Sequence, residues 1–145
     1  MNSTHRPPHR QWRFLVLVAA GGAIGSAARA AIALAFPDTV FPAATLTVNL
    51  LGAFGLGVLL EALSRFGDDR GRRRVLRLAG GTGFFGGFTT YSTFALETAR
   101  LVDSSLGIAV GYALMTVVIG VVATVLGVVA GAGIHRRRSQ NGGTA

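Results

Sequence analysis

The sequence predicts an all-α integral membrane protein of four transmembrane helices, the third broken near its middle. Three observations carry this expectation. Half of the 145 residues are hydrophobic and only 14% are charged, where a soluble domain usually carries about 25% charge. Four long apolar segments fill most of the chain, each near the roughly 20 residues that cross a bilayer. The third, LAGGTGFFGGFTTYSTFALETARL from Leu78 to Leu101, is crowded with glycine and hydroxyl residues that no uninterrupted helix favours. No room is left for a separate soluble domain, so residues 1–145 read as one membrane domain.

Composition excludes several classes of function. Cysteine is absent, so the chain forms no disulfide and no thiolate metal site. The three histidines, His5, His9 and His135, lie in the tails. The apolar spans carry no histidine and no carboxylate pair, so no catalytic constellation arises and an enzyme is not expected. The net charge of +8 comes from arginine, with no lysine. In a soluble protein that balance would suggest nucleic acid. Here the arginines flank apolar spans, so anionic lipid headgroups and control of topology account for them, and no nucleic-acid partner is expected.

In chain order, residues 1–12 form a polar tail that reads as disordered, with Trp12 where an interfacial aromatic anchor sits. A positive start before an apolar run also suits a signal peptide, but Phe14–Phe36 is long for one and three more spans follow. The first span covers residues 13–36. Gly21, Gly22, Gly25, Ser26 and Ala30 place small residues at three- and four-residue spacing, which lets another helix approach closely. Arg29 lies about 10 Å from the end of the span at 1.5 Å per residue, where an unpaired arginine costs roughly 2.5–3.5 kcal/mol. It either snorkels to the nearer interface or faces a watery cavity that attracts anions. Pro37 and Asp38 end the span.

The second span covers residues 40–63, with Pro42 suited to a first helical turn. Thr45, Asn49 and Gly52 share one face, and Asn49 can act simply as interhelical glue. The basic loop 64–77 carries six arginines against Asp68 and Asp69. In the third span, residues 78–101, Gly80, Gly81, Gly83, Gly86 and Gly87 each cost about 1 kcal/mol against alanine in a helix. Thr89, Thr90, Ser92 and Thr93 compete for the backbone. A break near Gly86–Thr90 follows. Such backbone at membrane depth survives only where protein buries it or water reaches it, and interrupted helices are where transporters place ion sites; a kinked, glycine-packed helix is the plainer reading. Asp103 is placed to cap the fourth span, residues 104–134. That span contains the pairs Gly107/Gly111 and Gly127/Gly131, with Tyr112 and Thr116 on one face. The tail 135–145 brings Arg136, Arg137 and Arg138.

The chemistry available in the third span suits an ion path. Tyr91 and Phe94 share a face, and the positive edges of aromatic rings can line an anion's route without trapping it, although ordinary helix packing also uses such pairs. Thr90, Ser92 and Thr93 offer hydroxyl donors to a small, strongly hydrated anion. Exposed carbonyls at the break suit a hard cation such as Na⁺. Glu97 either pairs with Arg100 or faces a vestibule.

The run GTGFFGGFTTYSTFALE (Gly81–Glu97) closely resembles the signature of the Fluc/CrcB fluoride channels. GGAIGSAAR (Gly21–Arg29) and TLTVNLLGAFGLG (Thr45–Gly57) resemble that family's first- and second-helix motifs in the right order. The resemblance spans all four apolar segments. It implies a four-helix subunit that pairs antiparallel into a dual-topology-type dimer with two pores, and that lets fluoride leave the cell passively. It implies a structural Na⁺ held by the carbonyls of Gly86 and Thr89. It assigns the pore to Asn49, Tyr91, Ser92, Thr93, Phe94, Tyr112 and Thr116, with Arg29 and Glu97 in the vestibule. Tyr91 departs from the family, which usually has phenylalanine there.

A small multidrug exporter needs a carboxylate in its first helix, and this first span has Arg29 and no acid. A non-transporting membrane interaction protein would use the GxxxG pairs but leave the break and Arg29 without a role. Counting Arg13 at the very start of the first span with the N-terminal tail, twelve of the fourteen arginines fall in the two tails and the basic loop, which four spans place on one side. Arginine-rich short loops stay cytoplasmic, so both termini are expected inside, in a multi-pass plasma-membrane protein. A chain so biased inserts one way, so an antiparallel dimer is expected to pair it with a related subunit of opposite bias rather than with itself.

Overall fold

A computed structural model describes residues 12–37, 41–65 and 69–141, with side chains as far as Gly133. The N-terminal tail, Asp38, Asp68 and the side chains of the C-terminal arginines lie outside the described residues. The described residues are all helical or in short connections. Helix α1 (Trp12–Ala35) leads to α2 (Ala43–Ser64). A short α3 (Gly71–Leu76) runs directly into a π-helical stretch, π1 (Arg77–Phe85), and one α-turn, α4 (Gly86–Phe88). After a two-residue break, α5 (Tyr91–Ser104) and α6 (Leu106–Asn141) complete the order.

Among the described residues, three helical segments are long and apolar enough to cross a membrane: Trp12–Ala35, Ala43–Ser64 and Leu106–Gly133. The third apolar segment is divided among π1, α4 and α5, which is why no single helix of spanning length appears there.

Glycines set how the helices meet. A Cβ on Gly25 would stand 2.9 Å from Phe88 N and still closer to Phe84 O, and one on Gly87 would run into the Gly22 carbonyl. α1 and the π1–α4 segment therefore touch backbone to backbone, as the small-residue spacing of α1 predicts. Gly57 and Gly127 do the same for α2 and α6, against Thr124 O and Phe54 O respectively. The pair Gly127/Gly131 thus serves α2, while a Cβ on Gly111 would meet nothing within 4 Å.

These contacts also fix direction. Gly21 meets Ala79 and Gly25 meets Phe84 and Phe88, so α1 and π1 run parallel; Gly80 meets Leu59 and Gly52 meets Thr89, so α2 runs against them. Gly127 meets Phe54 and Gly131 meets Val58, so α6 runs with α2. The start of α1, the end of α2, α3 and the end of α6 consequently lie at one end of the bundle. Few side chains are buried within the chain, and residues such as Leu34, Ile24 and Leu126 face outward.

Several boundaries differ from those expected. The basic connection is not all loop: it turns at Gly71, the one described residue with positive φ (52°), and is helical from there. Pro42, with ψ 65°, stands just outside α2 rather than in its first turn. Asp103 lies inside α5, and the extended residue before α6 is Ser105, whose carbonyl accepts from Ala109 N at 3.1 Å. The α6 backbone stays helical to Asn141, beyond the expected end at 134. π1 was not anticipated. Ala79, Gly80, Gly81 and Gly83 sit in its middle turns, where few side chains oppose a widened helix, a form that is rare overall but frequent at functional sites.

Candidate functional site

The break falls at Thr89 and Thr90, whose backbones leave the helical region (ψ 161° and 118°). The groups freed there find partners of unusual kinds. Thr90 N donates to Asn49 Oδ1 at 2.8 Å, and Asn49 Nδ2 donates to Thr90 O at 3.0 Å. Both backbone groups of one extended residue are thus held by one amide from α2. Thr90 Oγ1 accepts from Thr93 N at 3.1 Å and so caps α5. Thr89 N and its hydroxyl both donate to Phe85 O, at 3.0 and 2.9 Å.

This arrangement bears on a cation. In an unbroken helix, Thr90 N–H would bond Gly86 O and Thr93 N–H would bond Thr89 O. Here Asn49 takes the first and the Thr90 hydroxyl takes the second. The carbonyls of Gly86 and Thr89 thereby lose these donors, and across the same break Gly87 O is held instead by Ser26 Oγ at 3.3 Å. Hard cations favour carbonyl oxygen, so this donor set fits Na⁺. Gly86 is exposed, and a Cβ on it would meet nothing within 4 Å.

Two cavities flank the break and share Thr90. One, of about 210 Å³, is lined by Ser26, Arg29, Thr45, Thr90 and Thr93 among others. Arg29 faces this pocket, and its Nε is shielded from solvent with no hydrogen-bond partner in the protein. The second is an open cleft of about 570 Å³, lined by Asn49, Gly86, Thr89, Tyr91, Phe94 and Thr116 among others. Between them, Thr90 Oγ1 donates to Thr93 Oγ1 at 2.9 Å and lies 3.3 Å from Ser92 Oγ.

Above the Arg29 pocket, Glu97 turns inward. Its carboxylate accepts from Thr45 Oγ1 at 2.8 Å and from Tyr112 OH at 3.2 Å. Of the two expectations for Glu97, pairing with Arg100 does not occur among the described residues. Tyr112 is buried, and Thr116 Oγ1 donates to its carbonyl at 2.8 Å. The rings of Phe41, Tyr112, Phe94 and Tyr91 follow one another at centroid separations of 5.7, 5.4 and 6.1 Å. Tyr91 ends this series 81% exposed.

Of the residues that the sequence assigned to the site, Arg29 and Thr93 line the pocket, Asn49, Gly86, Thr89, Tyr91, Phe94 and Thr116 line the cleft, and Ser92, Glu97 and Tyr112 line neither. Thr45, Thr90 and Phe41 were not assigned to the pore or the vestibule. Thr45 lay on the Asn49 face and Thr90 among the hydroxyl donors, so both had a signal; nothing local marks Phe41.

The family model for CrcB-like protein, Camphor Resistance (CrcB), matches residues 16–128. The chain is 48% identical over 134 residues to the fluoride-specific ion channel FluC 2 of Leifsonia xyli subsp. xyli, covering 91% of this chain and 92% of that relative. It is 43% identical over 123 residues to fluoride-specific ion channel FluC 1 of Cutibacterium acnes, covering 77% and 86%. It is 44% identical over 116 residues to fluoride-specific ion channel FluC of Novosphingobium aromaticivorans, covering 76% and 89%. With a family model matched across most of its length and relatives at this identity covered nearly end to end, the chain belongs to the CrcB family.

Proposed function

We propose that this chain is a subunit of a fluoride-selective channel that lets fluoride leave the cytoplasm passively. The observation that carries the reading is the Asn49-clamped break at Thr89–Thr90, standing between an arginine pocket and an aromatic cleft in a chain whose relatives are named fluoride-specific ion channels. Arg29 supplies positive potential that draws an anion into the pocket, at the cost of a charge held within a span. The Thr90, Thr93 and Ser92 hydroxyls replace water around a small anion as it sheds its hydration. The edges of Phe94 and Tyr91 carry it onward without a full charge that would hold it.

In this reading π1, α4 and α5 together make a fourth membrane crossing, and the exposed Tyr91 and the cleft face a second subunit in an antiparallel dimer. Na⁺ binds as a structural ion at the Gly86 and Thr89 carbonyls and is not transported. It would hold the two carbonyls that the break turns away from helical donors. The chain sits in the plasma membrane with both termini cytoplasmic, because the Arg-bearing tails and the Ser64–Arg77 connection leave one end of the bundle. A related subunit of opposite charge bias is the favoured partner.

The test is fluoride efflux from liposomes carrying the purified protein, with chloride as control. Flux of fluoride and not chloride is expected. Equal flux of both, or none from the chain with or without its paralogue, overturns the reading.

A further inference from the structure

The arginine helix α3 divides cleanly into two faces. Arg73, Arg74 and Arg77 share one by i, i+3 and i+4 spacing, and all three are half-buried. Asp69 gathers two of them: Arg77 donates to it through Nε at 3.1 Å and Nη2 at 2.6 Å, and Arg74 Nε stands 3.9 Å away. That last separation is too long for a hydrogen bond. The Nε atoms of Arg73 and Arg74 are shielded from solvent and have no hydrogen-bond partner in the protein. The opposite face carries Arg72, Val75 and Leu76, all exposed. α3 passes directly into π1, which packs against α1 and α2. This puts α3 at the level where the apolar bundle ends, the same end at which exposed Trp12 begins α1.

We propose that α3 is a binding site for an anionic phospholipid. Its phosphate sits where the two faces meet, paired with the guanidinium groups of Arg72 and Arg73, and its acyl chain lies along Val75 and Leu76, which share the exposed face with Arg72. Guanidinium is suited to phosphate through paired N–H donors. A free phosphate would satisfy the arginines but has no use for two apolar side chains directed outward beside them, so the occupant is a lipid. Asp69, paired with Arg77 and close to Arg74, offsets the positive charge beside the site and so sets the strength of binding.

The experiment is native mass spectrometry of the full-length protein in detergent, titrated with phosphatidylglycerol and, separately, with phosphatidylcholine. Phosphatidylglycerol is expected to bind preferentially, and R72Q/R73Q to weaken it on the order of tenfold, since each arginine near an anionic headgroup contributes substantially. D69N, which frees Arg74 and Arg77, is expected to strengthen it a few-fold. V75S/L76S is expected to weaken both lipids, and inorganic phosphate at millimolar concentration to displace neither. Equal binding of the two lipids, unchanged binding in R72Q/R73Q, or displacement by inorganic phosphate overturns the proposal. Should R72Q/R73Q fail to fold, D69N decides alone: unchanged or weaker phosphatidylglycerol binding rejects it.

Discussion

Asn49 holds Thr90 by both of that residue's backbone groups, so substitutions there separate fold from flux. Asn49→Asp keeps an acceptor for Thr90 N–H, loses the donor to Thr90 O and brings a negative charge to the proposed anion path. The variant is expected to extract as a dimer yet lose most fluoride efflux. Asn49→Ala strands two backbone groups at membrane depth, each costing about 1–3 kcal/mol, and should lower the thermal midpoint as well. Phe94→Ile removes a ring between Tyr112 and Tyr91 while keeping an apolar side chain; efflux from liposomes should fall while the dimer persists on size exclusion. Normal efflux from both Asn49→Asp and Phe94→Ile would mean that the path lies elsewhere. At the basic end, the hydrogen bonds from Arg77 hold the Asp69 carboxyl below its ordinary 3.8. The sign follows from linkage: the tie stabilises fully above the unfolded value and is lost only as pH falls through the lower folded value. The Asp69–Arg77 contact should therefore persist at mildly acid pH, with carboxylate titration by NMR as the check.

At the scale of elements, the join between α1 and the broken helix depends on absent side chains. A Cβ on Gly25 meets the backbone at Phe84 and Phe88, whereas one on Gly22 meets only Gly83 O, at an ordinary 3.8 Å. Gly25→Ala is expected to destabilise by about 1–3 kcal/mol through forced backbone shifts. Gly22→Ala, three residues away on the same helix, should be neutral or stabilising by up to about 1 kcal/mol from helix propensity. Thermal unfolding of both variants in detergent checks the pair. The break itself predicts a dependence on sodium. With Thr90 N and Thr93 N bound elsewhere, the Gly86 and Thr89 carbonyls are free of those donors and, in the proposed reading, hold the ion. Replacing Na⁺ by a large organic cation should lower dimer stability or fluoride flux, and indifference of both under rigorous Na⁺ depletion would remove the ion from the account.

For the whole molecule, helix directions and charge agree. α1 starts, α2 ends and α6 ends at one end of the bundle, and twelve of fourteen arginines belong to those helix ends, the N-terminal tail and the basic connection. Insertion should be one-sided, and an antiparallel dimer then requires a second, oppositely biased chain. A C-terminal tag labelled from each side of intact cells should react from the cytoplasm alone, and fluoride resistance should need the paralogue. Labelling from both sides, with resistance restored by this chain alone, would establish a homodimer instead.

Much of this architecture is local and therefore written in the chain. Apolar length, the glycine and threonine crowding of residues 80–93 and an arginine inside α1 are properties of neighbours along the sequence, and they marked the membrane class, the window of the break and the residues around it. What the break does with its backbone is not local. Asn49 reaches Thr90 across 41 positions, Thr45 reaches Glu97 across 52, and Ser26 reaches Gly87 across 61. Those pairings depend on the vertical register of α1 and α2 against the broken helix. That register is set where Gly21, Gly25 and Gly52 allow backbones and side chains to touch, and periodicity within one helix carries no information about its height against another. The same reason explains Glu97: its neighbour along the helix, Arg100, was the partner in view, but the hydroxyls of Thr45 and Tyr112 stand at its level and satisfy the carboxylate inside the bundle. The widened turns of π1 were likewise decided by tertiary structure, because glycine permits such a helix but only the close approach of α1 to its bare backbone gives it a partner.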